Sequence, residues 1–394
     1  MAGQAGGEGV ASIETFIVSI PRDTPYLGAL GPGEAINERG YLVRKGNRTI
    51  YPTVDRSVVV RVTTQDGRVG WGETYGLVAP RVIGELVADI IEPAIRGRSP
   101  FEMQAIWDDL YDLMRVRGYI GGFWLDAIAA VDIALWDLAA QMAGQPLHKL
   151  LGGAHRDRIP AYVSGLPAPT LPERAALARS FVDRGFKAIK FAAVVSFDGV
   201  EAEMAALRQA VGPDVQLMID MHWMHTAAGA VGLIRRLEPH GLAFAEAPCK
   251  TEDVAGLAEV AAKTGVPIAA GEEWRTVFDA RPRLEGRAVS IIQPEMGHTG
   301  ITQFMRMTQL ARAHHVRTMP HATIGVGIFM AASLHASATV LDLPWHEYQH
   351  SVFDRCATLL DGRLRCEAGF FDLPEGPGLG VTPNERFWRH ATPC

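Results

Sequence analysis

The chain has 394 residues, of which 48% are hydrophobic and 21% are charged, and its formal net charge at pH 7 is −6. These values are ordinary for a globular protein with a large core, and the length predicts two domains or one barrel with an accessory domain. The negative net charge argues against non-specific nucleic-acid binding. No apolar run is long enough to cross a membrane, so we expect no membrane partner either.

The N-terminus and the cysteines bear on the compartment. Residues 1–10 are rich in Gly and Ala and lack a basic region before an apolar core, which predicts a loose terminus rather than a signal peptide. The four cysteines are far apart and form no C-x-x-C pair. We therefore expect a reduced, cytoplasmic compartment and no disulfide framework.

The first part of the chain predicts antiparallel β structure followed by helices. Within residues 12–76, the runs S-V-V-V-R-V-T-T and R-V-G-W-G-E-T flank a Gln-Asp-Gly turn and predict a hairpin. Residues 81–145 are typical of helices, with breaks near 97–100 and 118–122. Three acids of the last helix are expected to be structural partners rather than catalysts: Asp126, Asp132 and Asp137.

A long Gly/Pro-rich loop precedes the hairpin, at about residues 21–41. Loops of this length are usually either functional or disordered. The basic residues Arg44, Lys45 and Arg48 follow it closely. They are interpreted either as a solvated surface patch or as a lid that recognises an anionic or polyhydroxylated substrate.

Eight repeated strand–helix units begin near residue 158. Apolar strands that alternate with amphipathic helices predict a parallel sheet, and eight such units fit a closed barrel with its active site at the C-terminal strand ends. The unit pattern ends near residue 351, and the Gly/Pro-rich tail is expected to pack against the N-terminal domain. The predicted strands are I-P-A-Y-V-S-G, F-K-A-I-K-F-A, Q-L-M-I-D-M-H, L-A-F-A-E-A-P, P-I-A-A-G-E-E, V-S-I-I-Q-P-E, V-R-T-M-P-H and W-H-E-Y-Q-H.

Three consecutive strands end in an acid at one interval. Asp220, Glu246 and Glu272 follow one another 26 residues apart. A single acid at a strand end is usually a helix N-cap or a solvated residue. Three acids that share one interval and one context are instead expected to converge on one point of a parallel sheet. Their mutual repulsion requires a cation, and hard oxygen donors favour Mg²⁺.

The sequence resembles the enolase superfamily, in particular its mandelate racemase subgroup, over nearly the whole chain. The resemblance rests on the N-terminal hairpin, the helix A-L-W-D-L…G-Q-P-L-H-K-L-L-G-G and the acids of strands three to five. It implies an α/β fold with a modified TIM barrel (146–351), an α+β capping domain (1–145) and a C-terminal segment (352–394) that returns to the cap. It also implies Mg²⁺ at the three acids, where it chelates the carboxylate of a small substrate, and a homo-oligomer, either a dimer or an octamer.

Lys190 ends the second strand inside an apolar pattern and is expected to face the metal. There a cation can stabilise the enediolate that forms when the proton α to a carboxylate leaves. Lys187 is expected on the surface. Many relatives carry Lys-x-Lys here, and the second Lys acts as a base. Since positions i and i+2 of a strand share a face, Ala192 takes that place, which weakens a two-base racemase.

His321 is the best candidate for the base, because an imidazole can be poised near neutral pH when a carboxylate orients it. Relatives pair this His with an Asp on strand six, where this chain has Glu295. A lone His in an apolar strand is more often a satisfied core residue, and the neighbouring carboxylate favours the catalytic interpretation. Glu347 matches an acid of strand eight that binds the substrate carboxylate in relatives; a buried structural acid is the alternative.

His222 is two residues after Asp220 and is therefore expected on the same face of strand three. Relatives that dehydrate galactonate-type sugar acids have Asp-x-His there, where the His protonates the leaving hydroxyl. His225 and His298 are nearby alternatives. The resemblance therefore implies a Mg²⁺-dependent acid-sugar dehydratase that forms a 2-keto-3-deoxy sugar acid. A cycloisomerase of a lactone or anhydro-sugar acid is the first alternative and an epimerase the second. A non-catalytic binding relative is opposed by the complete set of site residues.

Overall fold

The N-terminal sheet places three residues of its last strand against the barrel. A computed structural model describes residues 7–322 and 325–394; most of the predicted loose terminus, residues 1–6, lies outside them. The sheet is antiparallel, and the predicted hairpin is β4–β5. Its strands and those of the preceding loop are β1 (Val10–Pro21), β2 (Tyr41–Val43), β3 (Ile50–Pro52), β4 (Val54–Thr64) and β5 (Val69–Tyr75).

The predicted helices follow, with breaks at the expected places. The longest is mostly apolar, with three buried acids, and lies between the sheet and the barrel. Two glycines of β5 permit that contact, since a Cβ at Gly72 would lie 1.8 Å from the carbonyl oxygen of Ala130. The helices are α1 (Arg81–Leu86), α2 (Glu92–Ile95), α3 (Met103–Arg115), α4 (Gly122–Met142) and α5 (Leu147–Leu150).

A barrel of eight parallel strands occupies the middle of the described chain. From β6 to β12 each strand pairs with the next, and the eighth strand pairs with the first. The link between the seventh and eighth strands is a 3.4 Å hydrogen bond from Glu347 N–H to Pro320 O. The strands are β6 (Arg158–Ser164), β7 (Ala188–Ala192), β8 (Gln216–Asp220), β9 (Leu242–Glu246), β10 (Ile268–Ala270), β11 (Ile291–Ile292), β12 (Arg317–Thr318) and β13 (His346–Tyr348).

Seven of the intervening helices cover the outside of the barrel. They are α6 (Leu171–Asp183), α7 (Val200–Val211), α8 (Ala227–Leu237), α9 (Val254–Lys263), α10 (Val277–Glu285), α11 (Met296–Ala313) and α12 (Ile328–Ala338). Their apolar faces pack on the strands in one continuous core. The predicted fold class, a barrel beside an α+β domain, is confirmed.

The C-terminal segment contacts both halves of the molecule. The pair β15–β16 adjoins the first barrel strand, and β18 pairs with β1 in the N-terminal sheet. In the described residues no helix is long and apolar enough to span a membrane, and all four cysteines are free. The elements are α13 (His350–Cys356), β14 (Leu360–Gly362), β15 (Cys366–Glu367), β16 (Phe370–Asp372), β17 (Val381–Pro383), α14 (Glu385–Trp388) and β18 (Ala391–Pro393).

Candidate active site

An apolar layer inside the barrel supports a polar layer above it. The apolar layer takes one side chain from each of seven strands: Tyr162, Ala188, Met218, Phe244, Ala269, Ile291 and Met319. Side chains two positions further along a strand point to the same side. For six of the seven strands that next inward position is polar: Ser164, Lys190, Asp220, Glu246, Gln293 and His321. The two-residue alternation of side chains along each strand therefore determines which polar groups face into the site.

The three predicted metal ligands do converge. Carboxylate oxygens of Asp220, Glu246 and Glu272 lie within 4.8 Å of one another. The sheet register pairs Asp220 with Glu246 directly. Glu246 is also opposite Ala269, so Glu272 extends from the turn that follows β10 rather than from the same rung.

The charge state of these acids depends on a cation. Burial raises the pKa of Asp220 to about 6 and also raises the pKa of Glu246 and, strongly, of Glu272, where the neighbouring acids add to the effect. The clustered acids are therefore harder to ionise than free carboxylates, although the charge of Lys190 opposes the shift in each of them. Their hard oxygens and their spacing fit a divalent ion such as Mg²⁺, which would keep them ionised.

Lys190 supplies a positive charge beside this cluster. Its Nζ donates to both carboxylate oxygens of Glu246 at 2.7 Å and lies 3.1 Å from Glu347 Oε1. Burial opposes the charge, but the two acids outweigh it and raise the pKa of Lys190 well above its usual range. Lys187, by contrast, is exposed, as predicted.

Glu347 is fully buried in the middle of the eighth strand, β13. Burial would raise its pKa, but Lys190 and His321 lower it to about 2. Its Oε2 accepts a hydrogen bond from Ala322 N–H at 3.0 Å. Glu347 is the counter-ion of Lys190 and also lines the cavity, so its position fits both the structural and the substrate-binding interpretation.

The predicted dyad is formed although its members lie beyond the strands. His321 Nδ1 is 2.7 Å from Glu295 Oε2, and the two residues form a parallel bridge. The other nitrogen, Nε2, faces the acid cluster, 3.1 Å from Glu272 Oε2. Burial opposes protonation, but Glu272 and Glu347 raise the pKa of His321 well above its ordinary value. A cation at Glu272 would reduce that effect and favour the neutral base.

His222 lies at the cavity but not on the strand face that was expected. Strand β8 ends at Asp220, and His222 has a left-handed φ of 48°. Its Nε2 is 3.1 Å from Asp220 Oδ2 and its Nδ1 is 3.3 Å from Asp220 O. Burial lowers the pKa of His222 to about 4. Its ring is thus held against a predicted metal ligand.

A cavity of 220 Å³ joins these groups at the C-terminal strand ends. Ala192 lines it, so no side-chain base occupies the position of the second Lys found in many relatives. His298 also lines it, held 2.8 Å from Asp126 Oδ1, whereas His225 is not among the described lining residues. Asp126 also pairs with Arg275 at 2.9 Å, which makes it a structural partner as predicted.

The N-terminal domain covers this cavity with residues that the sequence did not single out. Tyr26 and Leu27 come from the long loop, Tyr51 from β3 and Tyr75 from the end of β5. Burial raises the pKa of Tyr26 and of Tyr51 far above the usual range, so both phenols are neutral hydrogen-bonding groups. The length of the loop was a signal for function, but it did not indicate which residues face the substrate.

The interpretation of the basic group as an anion-binding lid is wrong for Arg44. Its side chain is fully buried and donates to the carbonyl oxygens of Tyr26, Gly28 and Ala29 and to Glu34 Oε2. It therefore holds the loop together. Lys45 and Arg48 are exposed and do not line the described cavity, in keeping with a surface patch.

A larger cavity of 960 Å³ lies at the opposite end of the barrel, where Gln216 and Arg317 begin their strands. It contains none of the predicted site residues. The predicted site residues that line a cavity therefore lie at the smaller one.

Comparisons with known proteins agree with this architecture. Residues 49–152 match the family model described as "Mandelate racemase / muconate lactonizing enzyme, N-terminal domain", and residues 173–387 match "Enolase C-terminal domain-like". A D-galactarolactone cycloisomerase of Agrobacterium fabrum is 32% identical over 83% of this chain and 89% of its own length. A D-galactonate dehydratase of Ralstonia pickettii is 31% identical over 87% of this chain and 97% of its own length.

Solved structures give the same result. A protein of Sinorhizobium meliloti, provisionally described as an isomerase, is 57% identical with a TM-score of 0.97, over 98% of this chain and all of that one. A magnesium-bound racemase of Streptomyces coelicolor is 25% identical with a TM-score of 0.84, over 97% of this chain and all of that one. The chain belongs to the mandelate racemase/muconate lactonizing enzyme family of the enolase superfamily.

Proposed function

We propose that the protein is a Mg²⁺-dependent acid-sugar dehydratase. The observation that carries the proposal is the asymmetry of the cavity. His321, paired with Glu295 at 2.7 Å, offers a base beside the acid cluster, while Ala192 occupies the place of a second base. One base suffices for elimination, whereas racemisation requires proton transfer on both faces of the α-carbon.

In this proposal His321 Nε2 removes the proton α to the substrate carboxylate. The electron pair of the broken C–H bond moves into the carboxylate, which becomes an enediolate. Glu295 accepts the hydrogen bond of Nδ1–H, so it fixes the tautomer that leaves Nε2 free and stabilises the imidazolium that forms.

Asp220, Glu246 and Glu272 would hold the Mg²⁺, which supplies Lewis-acid stabilisation of negative charge on the carboxylate when it is bound. Lys190 adds a fixed positive charge at the same end of the cavity. Because the group is buried and already oriented by two acids, it needs little reorganisation as charge develops.

The enediolate then expels the β-hydroxyl. The electron pair forms the Cα–Cβ double bond, the Cβ–O bond breaks, and the hydroxide leaves as water after it takes one proton. Either the protonated His321 or His222, once it releases its contacts with Asp220, supplies that proton. The resulting enol becomes a 2-keto-3-deoxy sugar acid.

Replacement of His321 by Asn tests the base. We measure turnover on the best substrate from a panel of mono- and diacid sugars. We expect it to fall by at least about 10³-fold, which corresponds to ~4 kcal/mol in the activation free energy. A semicarbazide assay detects the keto acid. A loss of less than about tenfold, ~1.4 kcal/mol, would remove His321 from this role. If the wild-type protein exchanges the α-proton of the substrate for deuterium without net product, the reaction is epimerisation instead.

A cycloisomerase of a sugar-acid lactone is the second candidate, and the position of His222 favours it. Both ring nitrogens of His222 face Asp220, so its proton is held away from a leaving group. The ring oxygen of a lactone leaves as a carboxylate, which needs no acid, whereas a hydroxide does. One relative is named as a lactone cycloisomerase.

Replacement of His222 by Asn separates the two reactions. If a hydroxyl leaves with help from His222, we expect the variant to lose keto-acid formation from open-chain aldonates by roughly 10²-fold or more. Lactone opening should persist. If the wild-type protein acts on lactones alone, its function is cycloisomerisation rather than dehydration.

A further inference from the structure

The last three residues of β5 extend from the N-terminal domain to the two loops that carry the dyad. Glu73 is fully buried and accepts hydrogen bonds from Val326 N–H (2.5 Å), Ile328 N–H (2.8 Å) and Phe329 N–H (3.0 Å). These amides open α12, shortly after His321. Glu73 thereby fixes the start of that helix, whose amides would otherwise lack partners.

The next two residues bind the loop of Glu295. Thr74 Oγ1 donates to Gly297 O at 2.6 Å, and Tyr75 Oη donates to Glu295 Oε2 at 2.8 Å. We call Glu73, Thr74 and Tyr75 the β5 clamp. It contacts the segments after both members of the dyad, although it belongs to the other domain.

Glu295 depends on these contacts because of its length. Its side chain has one more rotatable bond than the Asp found in relatives, so it loses more freedom when it is fixed. Oε1 accepts from Gly297 N–H at 2.9 Å, and Oε2 accepts from both Tyr75 and His321. With these three donors the carboxylate has one orientation.

We propose that Tyr75 is a positioning residue for the base, which acts through Glu295 and makes the N-terminal domain part of the catalytic machinery. This inference rests on the proposed role of His321. The phenol ring is itself fixed, since it stacks on His298 at 4.4 Å and on Phe329 at 5.5 Å between ring centroids. Loss of the hydroxyl alone should therefore release Glu295 without displacing the ring.

A spectroscopic test needs no substrate, so it does not depend on the proposed reaction. In ¹⁵N-histidine-labelled protein, the hydrogen-bonded Nδ1 proton of His321 is assigned by its loss in His321→Asn. We expect Tyr75→Phe to move this resonance by more than its line width and to speed its exchange with water. Tyr119→Phe, at a tyrosine that is 54% exposed, should leave it unchanged. An unmoved resonance in folded Tyr75→Phe would overturn the proposal.

A kinetic test separates positioning from packing. Tyr75→Phe should lower kcat roughly 10- to 100-fold, as partners of catalytic ligands usually do, with KM nearly unchanged. In a Glu295→Gln background the same change should have no further effect, because the two residues act as one unit. Additive effects, or a change confined to KM, would place Tyr75 on the substrate instead and contradict the inference.

A second variant covers the case in which Tyr75→Phe does not fold. Thr74→Val removes the hydrogen bond to Gly297 O and keeps the side-chain shape. It should shift the same resonance in the same sense, by a smaller amount. A Thr74→Val protein with the wild-type resonance and kcat would equally overturn the clamp.

Discussion

The two walls of the cavity differ in charge and in origin. The barrel wall carries Lys190, Asp220, Glu272 and His321, on or just after parallel strands. The wall from the N-terminal domain carries no charged residue among its described lining residues, and its polar groups are mainly phenols such as Tyr26. The charged groups of the cavity thus come from the barrel, while the N-terminal domain contributes a neutral cover, in which Tyr75 also contacts Glu295.

Loss of charge from the barrel wall should have the largest effect. Lys190→Met leaves Glu246 and Glu347 buried without their counter-ion. We expect turnover to fall by about 10³-fold or more and the melting temperature to drop, because breaking a buried ion pair costs about 3–5 kcal/mol. Lys187→Met, on an exposed residue of the same unit, is the control. If both variants lose turnover equally, the loss comes from a disturbed second strand and not from the missing ammonium group of Lys190.

The covering wall should depend on Arg44 for its shape and not for its charge at the substrate. Arg44→Met removes the donor to three loop carbonyls, with an expected loss of about 3 kcal/mol in the free energy of unfolding. Limited proteolysis should cleave the 21–41 loop faster. Lys45→Met should stay within about 0.5 kcal/mol of wild type. A stable Arg44→Met protein with weakened substrate binding would restore the anion-lid interpretation.

The contact between α4 of the N-terminal domain and α11 of the barrel should make the stability of the protein depend on pH. Asp132 of α4 accepts hydrogen bonds from Thr302 of α11, which lower its pKa, but burial is larger and raises it from 3.8 to about 7. Between these values the folded protein keeps a proton that the unfolded chain releases, so the free energy of unfolding falls as pH rises and levels off above about 7.

Asp132→Asn cannot ionise and should escape this fall. Relative to wild type, we expect it to gain about 3 kcal/mol in the free energy of unfolding between pH 5 and pH 8. Urea titrations of both proteins at the two pH values measure the difference. A constant difference would mean that Asp132 is already ionised in the folded protein at pH 5.

The smallest effect is expected for a single phenol of the covering wall. Tyr26→Phe removes one hydroxyl that faces the cavity, worth about 1 kcal/mol or roughly fivefold in KM, with kcat nearly unchanged. Tyr41→Phe, on a tyrosine outside the lining, serves as the control. If Tyr26→Phe lowers kcat and leaves KM alone, the covering wall takes part in the chemistry at this point as well.

The barrel wall could be predicted from the sequence because the strand period determines which side chains face inward. Lys190, Asp220 and Glu246 follow from that period alone. Glu272, His222 and Glu295 were also identified, but they lie in turns where the period no longer applies, while His321 lies just after β12 at the next inward position. The resemblance carried part of these predictions.

The covering wall could not be predicted in the same way. Tyr26 and Tyr75 reach the site only through contacts between parts of the chain that are far apart in sequence. Tyr75 is 220 residues from Glu295. Arg44 illustrates the same limit, since a cation next to a loop has the same sequence pattern whether it faces solvent or the loop's own carbonyls. Local propensity does not encode such partners.

Mg²⁺ binding to chelator-treated protein, followed by calorimetry beside turnover, tests whether the three acids hold the metal. We expect one ion per chain in the wild type, loss of that binding in Glu272→Gln, and turnover that disappears with the chelator and returns with Mg²⁺. Full turnover after chelation, or unchanged Mg²⁺ binding by Glu272→Gln, would contradict this expectation.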